Sequence, residues 1–469
     1  MKNIVLTAAL AAILAGCNMA PTYQQPAAPV AGAWPLGEAY KQERDPAAIP
    51  VSGELAWGDF ITDDRLRRLI AFSLEHNRDL RVSILNIEQA RAQYRITRAD
   101  QLPQVNASLS QNASRVPRRL SSSGDATVSR QYSAGLGITA FELDFFGRVR
   151  NLSDAALERY LATEEARRAQ QISLVAEVAN AWLTLGADQE LLELARDTLA
   201  SQERSYTLSE RRVEAGAAAG LDMYEARTAV EAARSDVALY TARVAADRNA
   251  LDLLAGGAVE AALRPVGNAA PATLLAAVPD ALPSSVLQLR PDVLSAEHEL
   301  KAANADIGVA RAAFFPNVSL TTSAGAASGE LSSLFKAGTG TWSFVPQVNL
   351  PIFTAGANQA NLALSRTSRD IALARYEKAI QSAFREVADA LAQQGTLQER
   401  IAAQSALVHA SERSYRIREA RYQKGADTFL NALVSQRSLY AAQQGLINTR
   451  LEQAGNQIDL YKALGAGWR

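Results

Sequence analysis

The sequence predicts an α+β membrane protein built as an internal tandem repeat, with long helical rods alternating with pairs of short strands. Three observations predict it. From Arg148 to Leu185 there is no Gly or Pro, and Ile172, Val175, Ala179, Trp182 and Leu185 stand 3, 4, 3 and 3 residues apart. Leu192, Ala195 and Leu199 take the stripe up again, which makes it a coiled-coil-like seam rather than the face of a globular helix. A second rod repeats the plan: Ala357 to Gln394 is again free of Gly and Pro, with Ile380, Phe384, Val387 and Leu391 spaced 4, 3 and 4. Between the rods the apolar period drops from about 3.6 to 2, the signature of strands.

The repeat has a fixed offset. Gly395 follows Gly186 by 209 residues, Gly425 follows Gly216 by 209, and Ser414-Tyr415 follows Ser205-Tyr206 by 209. Leu254-Ala255-Gly256 and Ala463-Leu464-Gly465 close the two units in matching positions. Self-similarity at a fixed period marks a duplicated unit. A rod of about 68 residues would span on the order of 100 Å at 1.5 Å per residue, too long for a compact domain.

Composition excludes several functions. Lys+Arg 48 against Asp+Glu 49 gives a net charge of −1, with no basic run to hold nucleic acid. Apolar residues make up 48%, dominated by Ala, and aromatics only 6%, which suits helices packed side by side over thin seams. His76, His298 and His409 stand apart from any Cys or Asp cluster, so neither a metal nor a cofactor is expected. No nucleophile elbow or phosphate loop occurs, and the paired carboxylates on the helices are accounted for by i,i+4 charge pairs, so no enzyme is expected.

Residues 1–16 read as a secretory signal peptide: Lys2 forms the charged region, and Ile4 to Leu14 an apolar stretch too short to span a bilayer. The only cysteine, Cys17, follows Leu14-Ala15-Gly16, as in a lipobox, and is the expected site of lipidation, palmitate included. Asn18 does not supply the aspartate of an inner-membrane retention signal, so the outer membrane is the expected address. Residues 17–60 form a lipidated Pro/Ala/Gln-rich tether and equatorial segment.

The first repeat covers 61–256. Asp63 is placed to cap a short helix through about His76, and a second helix runs from about Asp79 to Asp100 before Pro103. Strands follow at about 104–114, where Val105, Ala107 and Leu109 face one way, and at 130–146, ending in Leu143-Asp144-Phe145-Phe146-Gly147. A helical hairpin spans 147–255, its tip near Gly216–Gly220. An equatorial connector covers 257–289. The second repeat, 290–465, has a helix from Pro291, strands at about 317–328 and 341–353, and a hairpin at 356–464 whose tip is Lys424-Gly425-Ala426; a tail, 466–469, ends the chain. Taken alone, the strands also suit a soluble hairpin between helices. Their length, near the 9–11 residues of a membrane-crossing strand, and their hydroxyl-rich second face, together with the lipoprotein signal, favour the membrane.

Four strands in lipid leave open edges, which a bilayer cannot satisfy. Chains must therefore pool their strands. Three copies give a twelve-stranded barrel with an aqueous lumen, continuous with a twelve-helix α-barrel, whereas two give an eight-stranded barrel plugged by side chains. A homotrimer is expected.

Several stretches are specific as a set: Ala303-Asn304-Ala305-Asp306-Ile307-Gly308-Val309-Ala310-Arg311-Ala312-Ala313-Phe314-Phe315-Pro316, Phe141-Glu142-Leu143-Asp144-Phe145-Phe146-Gly147-Arg148 and Leu289-Arg290-Pro291-Asp292. On these, the mature chain resembles the TolC-like outer-membrane factor family in its OprM/NodT-type lipoprotein branch; Asn77-Arg78-Asp79-Leu80-Arg81 is particularly similar to heavy-metal and multidrug members. The resemblance implies a passive outer-membrane exit duct for drugs or metal ions, docked onto a periplasmic membrane-fusion adaptor and an inner-membrane RND-type transporter. It also implies a periplasmic gate, whose candidates here are Tyr422, Arg421, Asp427, Asp222 and Glu225. Where the family often carries aspartate, this chain has Val434, and Asp222 and Glu225 match Asn431 and Val434 at the offset of 209. The same acids also suit ordinary solvated helix starts. Two other functions share parts of the pattern: a type I protein-secretion duct, against which the lipobox argues, and a coiled-coil lipoprotein spacer, which would explain the rods but not the strands.

Overall fold

The structure is a computed structural model that describes residues 18–40, 56–122, 124–266, 275–276 and 284–466. Cys17, the signal peptide and the last three residues lie outside the described residues. In chain order the elements are α1 (Trp57–Phe60), α2 (Asp64–His76), α3 (Arg78–Ala99), β1 (Val105–Val116), β2 (Thr127–Leu143), α4 (Arg148–Glu214), α5 (Gly220–Ala255), α6 (Pro291–Ala312), β3 (Asn317–Ser328), β4 (Gly340–Asn349), α7 (Ala357–Gln423) and α8 (Phe429–Ala463). Among the described residues no helix is long and apolar enough to cross a membrane.

Lengths come in pairs. The rods α4 and α7 have 67 residues each, α3 and α6 have 22 each, β1 and β3 have 12 each, and α5 and α8 have 36 and 35. The chain clusters into two compact units, neither of them a continuous stretch: residues up to 27 with 86–164 and 295–376, and residues 28–85 with 165–294 and 377–469.

The first unit holds one antiparallel sheet in the order β1-β2-β3-β4. Two expected strand ends move. β2 stops at Leu143, three residues early, where the Phe145 N–H turns back to the Leu143 carbonyl. β4 stops at Asn349, four residues early, because Pro351 has no N–H to give a ladder. The described residues after Cys17 are extended and lie docked on α6. Asn304 Nδ2 donates to the Pro21 carbonyl at 2.7 Å, Arg311 to the Met19 carbonyl at 3.1 Å, and the Tyr23 hydroxyl to Glu297 at 3.1 Å. Gly308 makes room for this, since a Cβ there would sit 2.7 Å from the Ala20 nitrogen.

The second unit carries the main core. The seam read from spacing is its spine: Ile172, Val175, Ala179, Trp182 and Leu185 are all buried, and Trp182 Nε1 donates to the Leu263 carbonyl at 2.9 Å. Ile61, Leu66, Leu69 and Ile70 pack against it from α2 and its approach, and Phe60 stacks on Tyr461 at 4.0 Å. Asp63 caps α2, accepting from the Arg65 and Leu66 nitrogens. Both return helices end on a left-handed glycine, Gly256 at φ 74° and Gly465 at φ 71°. Glycine is required at the first: a Cβ on Gly256 would lie 2.2 Å from the His76 carbonyl oxygen.

Candidate functional site: an amphipathic sheet and two hairpin tips

Side chains alternate across a strand, so the register fixes two faces. Val105 pairs with Ile138, Ala107 with Leu136 and Leu109 with Ala134; Leu136 pairs onward with Ala324, which pairs with Trp342, and Val318 pairs with Val348. That face is apolar and bare: Trp342 is 81% exposed, Leu109 72% and Val348 66%. The opposite face carries Asn106, Ser108, Ser110, Gly135, Gly137, Ser319, Thr321, Ser323 and Gln347. Ser110 and Ser133 meet there at 2.7 Å between Oγ atoms, as do Ser323 and Ser343. A soluble sheet covers its apolar face and wets its polar one; an exposed apolar face this large marks a surface meant for lipid or another apolar partner. β1 and β4 are unpaired on their outer sides, and neither strand's outer edge is blocked by a lysine.

The second unit ends in the two hairpin tips. Gly216 and Gly425 sit at φ 69° and 72°, each turning a rod into its return helix. Ala226, Ala229, Phe429 and Leu433 form a small buried cluster there, with Tyr206 and Tyr422 against it. Two of the five gate candidates, Arg421 and Asp427, come together, and Tyr422 packs on the neighbouring apolar cluster. Asp427 accepts from Asn431 Nδ2 at 2.7 Å and from the Thr428 N–H at 2.9 Å, and its second oxygen stands 3.6 Å from Arg421 and 3.7 Å from Arg418. The Asn431 hydrogen bond, then the Thr428 N–H and the arginines, hold its carboxyl below the usual aspartate range. Tyr422 packs on Phe429 at 5.5 Å and lies under Arg212, whose guanidinium is 4.6 Å from the ring. Arg421 and Arg212 also donate to backbone carbonyls, of Ala426 and Gln423.

Asp222 and Glu225 are not part of this network. They sit in the first turn and just beyond it on α5, half-exposed, and make no ion pair among the described residues. Asn431, met in the sequence only as the counterpart of Asp222, is the residue that fixes Asp427. Arg212 was missed, although a signal existed: it precedes Arg421 by 209 residues. Cys17 lies outside the described residues.

Comparison with known proteins places this geometry. The family model described as outer membrane efflux protein matches residues 69–257 and 282–466. A toluene efflux pump outer membrane protein, TtgC, and an antibiotic efflux pump outer membrane protein, ArpC, both of Pseudomonas putida, are each 50% identical over 468 residues, covering 100% of this chain and 96% of theirs. The open state of the MtrE outer membrane channel of Neisseria gonorrhoeae superimposes with a TM-score of 0.85 at 38% identity, over 97% of this chain and 99% of that one. On its sequence and its fold alike, the chain belongs to the outer membrane efflux protein family: it is an outer-membrane channel of an efflux pump.

Proposed function

We propose that three copies of this chain form the exit duct of a tripartite pump, carrying small molecules passively from a periplasmic adaptor and an inner-membrane RND-type transporter to the outside. The observation that carries this is the sheet: an exposed apolar face, a small polar face and two unpaired edges. In lipid each unpaired backbone group costs several kcal/mol, so the edges call for partners. Twelve strands leave a wet lumen and eight do not. The four long helices per chain then supply a twelve-helix periplasmic tube. We assign residues 1–16 to a signal peptide, Cys17 to lipid attachment, and 61–256 and 290–465 to a duplicated unit; the paired element lengths and the offset of 209 support the duplication.

The tips are the proposed gate. Arg421, Tyr422 and Asp427 form its latch, while Asp222 and Glu225 add unpaired negative charge beside it. The two P. putida relatives are named for toluene and for antibiotics, which favours small organic molecules as cargo. Only three methionines are present, so no thioether ladder speaks for copper or silver. The purified full-length lipoprotein in planar bilayers tests the duct: discrete unitary conductance is expected, and protein that inserts without conducting would refute it.

A further inference from the structure

The apolar face of the sheet carries two charges, and they stand side by side. Among the residues that β1, β2, β3 and β4 direct to that face, Arg115 and Arg130 alone are ionised; every other position is aliphatic, aromatic, or small or uncharged polar. Arg115 pairs with Val128, and Arg130 with Ala113, so the two are diagonal neighbours on one face, within reach of each other's side chains. Both are exposed, and neither makes an ion pair among the described residues.

Their position along the strand is defined. Val105 opens β1 six residues beyond the end of α3, and Arg115 is ten residues further on, beside the hairpin loop that carries Arg118 and Arg119. Ten residues at about 3.3 Å make about 33 Å along the strand. A tilt of roughly 35–45° brings this to about 23–27 Å, the height of the apolar band of a membrane barrel, about 25 Å. The order of side chains going up agrees. Leu109 and Ala134 give way to Gln111 and Tyr132, and these to the arginines, which is the sequence aliphatic, interfacial, charged. An arginine held there reaches headgroups without crossing hydrocarbon. Its planar fork fits phosphate oxygens in pairs, and the two forks side by side fit a headgroup with more than one phosphate.

We propose that Arg115 and Arg130, assisted by Arg119 from the loop, bind the phosphate groups of a phosphorylated glycolipid in the outer leaflet. This site would hold the barrel at a set depth. It rests on the proposed placement of the sheet in the membrane.

The test uses the full lipoprotein in detergent, titrated with bisphosphorylated lipid A and followed by native mass spectrometry. Wild type should retain the bisphosphorylated lipid at least about tenfold more strongly than the Arg115→Gln/Arg130→Gln double variant. The corresponding double Lys variant, which keeps charge but loses the forks, should fall between. Wild type should bind dephosphorylated lipid A at least about tenfold more weakly than the bisphosphorylated form, a comparison that does not depend on the variants folding. Equal retention by wild type and the Gln variant, or indifference to the phosphates, would overturn the site. Displacement by inorganic phosphate at equal concentration would make it a simple anion site and overturn the lipid assignment. A parallel Leu120→Cys variant, labelled on intact cells with an impermeant maleimide, separates the two levels. Labelling with no phosphate preference sinks this site alone, whereas no labelling sinks the membrane placement and this site with it.

Discussion

The two helical hairpins share one design and differ in what polar groups they carry at three heights. At the return end, position 77 precedes α3 and position 290 precedes α6, and each reaches a carbonyl at the end of a return helix. Asn77 Nδ2 donates to the Leu254 carbonyl at 2.9 Å, and Arg290 donates to the Ala463 carbonyl at 2.6 Å. Asn77 does this as a neutral cap that also accepts from the Leu80 N–H at 2.9 Å. Arg290 does it as a buried cation between Asp292 at 2.8 Å and Glu386 at 2.9 Å. Midway, the first hairpin has Asp188 and Asp247, where the second has Leu397 and Asn456, the latter donating to the Ala390 carbonyl at 3.1 Å. At the tip, the first return helix starts on Ala219 with no side-chain cap, and the second on Thr428, which accepts from the Asn431 N–H. The hairpins match in length, but the second has a buried cation at its return end and a side-chain cap at its tip, where the first has a neutral cap and none.

The largest effect is expected where the hairpins differ most in charge. Arg290→Ala leaves two half-exposed carboxylates and a helix-end carbonyl without their cation, and should cost about 2–3 kcal/mol in denaturant unfolding, against about 1–2 kcal/mol for Asn77→Ala. Equal losses would mean that the two caps are energetically interchangeable. The midpoint comes next. Burial, then the neighbouring Asp188 carboxylate, pushes Asp247 up to about 6. Because the folded value lies above the unfolded one of about 3.9, the stability it gives is full below about pH 4 and is lost as pH rises through about 6. Asp247→Asn, which makes the first hairpin resemble the second, should flatten that slope and gain on the order of 1 kcal/mol at pH 7 after solvent screening. A slope that persists would assign it elsewhere.

The tips should differ in conductance rather than stability. Asp427 has its pKa lowered, so its contribution is present above the ordinary aspartate value and fades only as pH falls through the lowered one. Asp427→Asn should raise open probability in planar bilayers at neutral pH, and wild type should follow only in strong acid. Asp222→Asn with Glu225→Gln should change cation preference more than opening, because those carboxylates hold nothing shut. The reverse assignment of effects would move the latch to the first hairpin.

Much of this was legible in the sequence because it is local. The seam from Ile172 to Leu185, the alternation of Val105, Ala107 and Leu109, and the turn glycines Gly216 and Gly425 each write their structure within a few residues. What escaped is long-range. Asn77 meets Leu254, and Arg290 meets Glu386 and Ala463, across separations that no periodicity records. The docking of Met19 and Pro21 on α6 escaped for the same reason: proline-rich composition describes an extended chain but not what it lies on. At the tip, Arg421, Tyr422 and Asp427 could be picked out by the family resemblance, whereas the contacts that Asn431 and Arg212 make there required the fold.

The mass of the full-length protein in detergent, measured by light scattering with the detergent subtracted, tests the central claim most directly. Three chains per particle are predicted, since three sheets close one wall. A stable single chain with its sheet edges unpaired would contradict the account.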